Sequence, residues 1–205
     1  MQKINELSNK NKIIYFVALI ALGIIVQIGA TYVMNGILLG SDKLASLNEE
    51  YGEISDVLTT LDFRHITQVI IISPVLEEFV FRFIFIGMVI KVVRDLIGKK
   101  VSDNTIFWGV NIFSSLMFGI YHWNLVQFVY ASILGLMLGF YFYKMGGYMI
   151  SLILHMVINT AGLYLAPILP SDITPMGMIA IGSMFLIIAL WIIVMTYLKI
   201  VNNKE

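Results

Sequence analysis

Two carboxylates and a guanidinium interrupt an otherwise unbroken apolar run. The stretch Ser73-Pro74-Val75-Leu76-Glu77-Glu78-Phe79-Val80-Phe81-Arg82 follows Val69, Ile70, Ile71 and Ile72 and precedes Phe83, Ile84, Phe85 and Ile86. A run of this kind reads as a membrane-spanning helix. Burying charge in such a helix is costly unless a partner is supplied, so ionisable residues there are read as functional. On a helix, Glu78 and Arg82 share a face, with the acid on the N-terminal side, and can neutralise each other. Glu77 is rotated from Glu78 by about 100°, onto the stripe of Pro74, Phe81 and Ile84. A partner for its carboxylate has to come from elsewhere in the chain.

The remainder of the chain supports a membrane setting. Of 205 residues, 59% are hydrophobic and only 13% charged, with a mean hydropathy of +0.89. A soluble domain of this size could not hide so much apolar surface. Thirteen basic and thirteen acidic residues balance, which gives no reason to expect nucleic acid as a partner. The absence of cysteine excludes disulfides, thiolate metal sites and cysteine nucleophiles. Lys3, Lys10 and Lys12 precede an apolar run in the manner of a signal peptide, but that run continues from Ile13 to Leu39. It is too long for a cleaved segment and reads as a retained first span.

Further apolar runs place a second span at Ile66 to Val93, a third at Thr105 to Tyr121 and a fourth at about Leu125 to Tyr143. A fifth runs from about Tyr148 to Ala166 and a sixth from about Pro175 to Leu198. The expected architecture is therefore all-α: a polytopic membrane bundle forming a single integral-membrane domain over 1–205, with a core at 66–166. With the N-terminus cytoplasmic, the inner segments hold Lys3, Lys10, Lys12, Lys91, Arg94, Lys99, Lys100, Lys144, Lys199 and Lys204, and the outer ones only Lys43 and Arg64. That asymmetry predicts cytoplasmic termini.

Two local features qualify this plan. In the first outer loop, Leu44, Leu47, Tyr51, Ile54, Leu58 and Leu61 recur at helical steps, while Asp42, Glu49, Glu50, Glu53, Asp56 and Asp62 occupy other faces. The pattern predicts an amphipathic helix capped by Ser41 or Asp42, either lying on the bilayer or bundle surface or serving as a lid. In the second span, Pro74 removes a helical hydrogen bond. The span is expected to kink there, or a new helix starts with Ser73 as its cap.

Candidate partners for Glu77 lie in other spans. Phe118 and His122 share a face at the end of the third, and His155 and Asn159 share one in the fifth. His65, beside Arg64, reads as an interfacial residue. A carboxylate beside an imidazole can hold a water and accept its proton. A second imidazole with a side-chain amide can donate to the oxyanion that forms when the water attacks a carbonyl. Alternatively, Glu77, His122 and His155 could ligate a divalent metal such as zinc. A metal-free site is expected, because an amide is a poor zinc ligand and no spare intramembrane acid is left to orient the histidines. No His-Glu-x-x-His, Gly-x-Ser-x-Gly or Gly-x-Gly-Asp pattern is present.

Glu77-Glu78-x-x-x-Arg82, Phe118-x-x-x-His122 and His155-x-x-x-Asn159, in that order on successive spans, resemble the motifs of the CPBP family. These are the CAAX-protease and bacteriocin-processing, or Abi, intramembrane proteases. The resemblance covers about residues 66 to 166. It implies an endopeptidase acting on membrane-associated peptides or proteins within the lipid bilayer. Glu77 would be the general base, His122 its partner, and His155 with Asn159 the oxyanion site, while Glu78 and Arg82 hold the helix in place. Self-immunity against a bacteriocin and peptide processing are both roles for such a protein. The alternative is a membrane immunity or binding protein that cleaves nothing. A transporter would be expected to show internal repeats, and none is found.

Overall fold

The computed structural model describes residues 7–44, 46–47, 49, 52, 62–97 and 101–202. Among these residues there is no strand, and six helical runs account for the architecture. Helix α1 is Asn9–Leu39, capped by Ser8, whose side chain accepts from the Asn11 N–H. The second run, α2, covers 63–97; Asp62 caps it by accepting from the N–H groups of Arg64 and His65 at 2.8 and 2.9 Å. Helix α3 is Asp103–Tyr121, capped by Ser102. Helix α4 is Leu125–Phe140, capped by Asn124 and extended by a π-helical stretch at Tyr141–Gly146. Gly147, at φ +80°, turns the chain into α5, Tyr148–Tyr164, a backbone conformation that a residue without Cβ adopts at little cost. Helix α6 is Pro175–Asn202.

By length and composition, four stretches are apolar enough to cross a membrane: Asn11–Leu39, Leu125–Gly146, Tyr148–Ile168 and Pro175–Val201. The other two expected spans are also helical, as α2 and α3. They carry the polar groups: Glu77, Glu78 and Arg82 on one, and Asn111, Ser114 and Ser115 on the other. Of the amphipathic helix expected in the first outer loop, only a short 3-10 turn at Asp42–Leu44 is bounded. Most of that segment, and Lys3, Lys99, Lys100 and Lys204 of the charge asymmetry, lie outside the described residues.

Pro74 neither breaks α2 nor starts a new helix with Ser73 as its cap. The residue at the boundary is Ile72, with helical angles of φ −67° and ψ −51° and no side-chain cap bond. The run instead takes up the proline with wider turns: α at Phe63–Thr67, π at Gln68–Ile72, α at Ser73–Glu78, π at Phe79–Met88 and α at Val89–Ile97. A π turn opens the ladder by one residue and gives the ring room.

The chain divides into two compact units. One, Met1–Ile71 with Leu154–Glu205, is built on α1 against α6. Their contact is made by glycines: a Cβ on Gly182 would lie 2.6 Å from the Gly29 carbonyl oxygen and 2.7 Å from the Val33 nitrogen. With no hydrophobic drive between helices in lipid, such close approach supplies the van der Waals contact that holds them.

The other unit, Ile72–Ile153, is built on α3 against α4. Small residues again line the seam. Gly139 sits against Asn111, Gly135 against Ser115, and Gly119 against Ser132 and the Phe128 carbonyl. Asn111 Nδ2 donates across it to the Leu136 carbonyl at 3.1 Å. Ile86, Ile90, Ile106, Phe107 and Val110 form an adjacent apolar cluster. Beside it, Arg94 pairs with Asp103 at 3.0 Å, and Lys144 donates to Asn104 at 2.9 Å.

These seams make a direct prediction. Gly182→Ala drives a methyl into backbone atoms that cannot yield, and should lower the unfolding free energy in detergent by about 1–3 kcal/mol. Gly109→Ala, where nothing lies within 4 Å, should leave stability unchanged or raise it by up to about 1 kcal/mol. Thermal unfolding of the two variants beside the wild type checks both.

Candidate active site

Four of the residues singled out by the sequence form one continuous set of contacts in the Ile72–Ile153 unit. Glu78 and Arg82, four residues apart on α2, have no solvent exposure, and Arg82 Nε lies 3.4 Å from Glu78 Oε2. The Arg82 guanidinium carbon lies 4.7 Å from the centre of the Phe118 ring, within the range of a cation–π attraction. Among the described residues none of its nitrogens has a hydrogen-bond partner. Its burial is therefore offset by the Glu78 and Glu77 charges and by the ring face. Phe118 meets the His122 ring edge-on, 4.9 Å between centres at 85°, and Phe81 at 5.2 Å.

The end of α3 fixes the His122 ring. The last carbonyls of a helix lack intrahelical donors. Here the His122 N–H turns back to the Gly119 carbonyl at 3.1 Å, which leaves the Phe118 carbonyl to another donor. His122 Nδ1 takes it at 2.8 Å. A carbonyl can only accept, so Nδ1 carries the proton, and in the neutral ring Nε2 keeps its lone pair. Trp123 then adopts φ +55°, a left-handed conformation unusual for a bulky residue. Asn124 follows at once as the α4 cap, accepting from the Gln127 N–H at 2.9 Å. Three residues, His122, Trp123 and the cap Asn124, make the whole turn.

Glu77 is half-buried on α2, in the same unit as His122. His155 and Asn159 stand one turn apart on α5 and belong to the other unit. His155 is buried, and Asn159 Nδ2 donates to the Val69 carbonyl at 2.9 Å. The Nδ2 has a second hydrogen beyond that bond.

Two contributors were missed by sequence reasoning. Tyr148 donates its hydroxyl to the Val75 carbonyl at 3.0 Å, and Ser114 donates to the Phe81 carbonyl at 2.7 Å. Tyr148 figured in the sequence only as the start of the fifth apolar run. The adjacent serines 114 and 115 were the available signal, two hydroxyls at the middle of a span. One sequence argument also changes. The acceptor said to be lacking for a histidine's second ring nitrogen is supplied to His122 by the Phe118 carbonyl, so the ring is oriented as a metal-ligating histidine would be.

Residues 60–161 match the family model described as type II CAAX prenyl endopeptidase, Rce1-like. The matched segment contains all three motifs. The chain belongs to this family of CAAX proteases, and its class is that of a membrane endopeptidase. No curated protein and no solved structure matches the chain.

The ion pair generates a prediction. Glu78→Ala takes the paired carboxylate from the buried Arg82 charge and leaves it the Phe118 ring and the Glu77 charge, and Arg82→Ala leaves a buried carboxylate. Each should cost about 3–5 kcal/mol of stability, read as lost expression and a lower unfolding temperature in detergent. Exchanging the two residues should recover part of the loss. A stable but inactive Arg82→Ala protein would assign Arg82 to the chemistry instead.

Proposed function

We propose that the protein hydrolyses peptide bonds of membrane-associated peptides with Glu77 as the general base. The lytic water gives its proton to the Glu77 carboxylate, while His122 Nε2 accepts a hydrogen bond from the water's other O–H. The oxygen attacks the scissile carbonyl carbon and a tetrahedral oxyanion forms. His155 and the second Asn159 amide hydrogen donate to that oxyanion. The intermediate collapses, the C–N bond breaks, and Glu77 returns its proton to the leaving amine. Peptide precursors and bacteriocins are the substrates we place in this class, with both termini of the protein cytoplasmic and residues 66–166 as the catalytic core.

The observation that carries this reading is the bond from His122 Nδ1 to the Phe118 carbonyl. It supports the neutral tautomer in which Nε2 is an acceptor, as water activation requires. The same tautomer suits a metal ligand. A divalent ion bound here would take Glu77, His122 and His155, and would lower the pKa of its bound water. The amide of Asn159 is a poor ligand and a good oxyanion donor, and we assign it the second role.

Glu77→Gln keeps the shape of the side chain and removes its basicity. Turnover of a membrane-anchored peptide should fall by ~10²–10⁴-fold with folding and insertion unchanged. A variant that keeps more than about a tenth of wild-type turnover rules out Glu77 as the base, since general base catalysis is worth at least ~10²-fold. Chelation followed by zinc add-back should leave wild-type turnover unaltered. Activity that is lost and restored in step with bound zinc would reassign Glu77, His122 and His155 as ligands.

A further inference from the structure

Pro74 has no backbone N–H, so one carbonyl of the preceding turn must lose its helical donor. In the π turns at Gln68–Ile72, each N–H reaches the carbonyl five residues back. Pro74 opens the α segment that follows this stretch, and carrying the five-residue step on to it reaches Val69. The Val69 carbonyl is the atom that Asn159 Nδ2 reaches, at 2.9 Å and across ninety residues of sequence. In a bilayer no water replaces a missing donor, and an unsatisfied carbonyl is costly.

We propose that Asn159 is a positioning residue, its side-chain amide standing in for the N–H that Pro74 lacks. The bond does more than satisfy a carbonyl. A π turn contains one residue more than an α turn, and losing it would rotate every later residue by about 100° about the helix axis. The register held at Val69 therefore decides which face of α2 presents Glu77, eight residues on. Side-chain donors recur along the same run. Tyr148 serves the Val75 carbonyl and Ser114 the Phe81 carbonyl, so the backbone on both sides of Glu77 is held from outside the helix. The inference adds a second task to the oxyanion role given to Asn159, and its catalytic half rests on Glu77 as the base.

The test is a double-mutant cycle on the full chain in detergent, combining Asn159→Leu with Pro74→Ala. Alanine restores an N–H that can serve Val69 itself. Against the Pro74 background, Asn159→Leu should reduce both the folding equilibrium constant and kcat on a membrane-anchored peptide by about tenfold more than it does against Pro74→Ala, the worth of leaving one buried carbonyl unsatisfied. KM should change little in either background. Equal losses in the two backgrounds overturn the proposal, as does coupling that appears in folding but not in kcat. If Asn159→Leu does not fold in either background, Asn159→Ser is carried through the same cycle and judged by the same criterion. The folding arm needs no substrate. A wild-type protein that cleaves nothing refutes the proteolytic reading, and the folding cycle alone then decides whether Asn159 replaces the Pro74 N–H.

Discussion

A guanidinium that meets no solvent must be compensated from within the protein. Around Arg82 that compensation runs as a line of contacts. The Glu78 carboxylate lies at 3.4 Å and the Phe118 ring at 4.7 Å. Among the described residues no nitrogen of the guanidinium has a hydrogen-bond partner, unlike the groups of most buried ion pairs. The arrangement is therefore sensitive to placement: the ring has to stay under the charge and the acid beside it. Phe118 also touches His122 with its edge and offers His122 its carbonyl. One residue thus ties an electrostatic requirement of α2 to the orientation of an imidazole at the end of α3.

The second physical theme is the helix that does not close its own ladder. The π stretches at Gln68–Ile72 and Phe79–Met88 occupy fifteen of the residues between 63 and 97. Wide turns leave carbonyls poorly served, and in lipid each must find a donor. Within the π stretches the Asn159 amide serves the Val69 carbonyl and the Ser114 hydroxyl the Phe81 carbonyl; in the α segment between them the Tyr148 hydroxyl is an added donor to Val75, which also accepts from the Phe79 N–H. These bonds give the irregular backbone a defined conformation at the segment that carries Glu77. The α segment that carries Glu77, Ser73–Glu78, lies between the two π stretches.

Much of this was legible from residue order. Apolar runs marked all six helices, four of them long and apolar enough to cross a membrane. Four-residue spacing gave the Glu78–Arg82 pair and the shared face of Phe118 and His122, since that distance is a property of the α-helix. What lay beyond reach depended on tertiary partners. The sequence marks Pro74 as a disruption and cannot say whether the chain breaks, kinks or widens there; a donor 85 residues further on, at Asn159, is part of the reason it widens. Tyr148 was invisible for a related cause. An aromatic at a span end has an ordinary interfacial explanation, and only the fold shows its hydroxyl on a carbonyl.

The seam of α3 and α4 also limits how this protein can move. Each level of the seam sets a glycine against a group that fills its missing side chain: Asn111, Ser115, and Ser132 with the Phe128 backbone. Sliding one helix along the other by a single step would push those groups into side chains larger than hydrogen. Packed surfaces of this kind have discrete arrangements and resist continuous shear. The two helices, joined by the short turn through Trp123 and Asn124, therefore travel as one rigid body. The turn that carries His122 moves with them, and its imidazole keeps its place against the Phe118 ring.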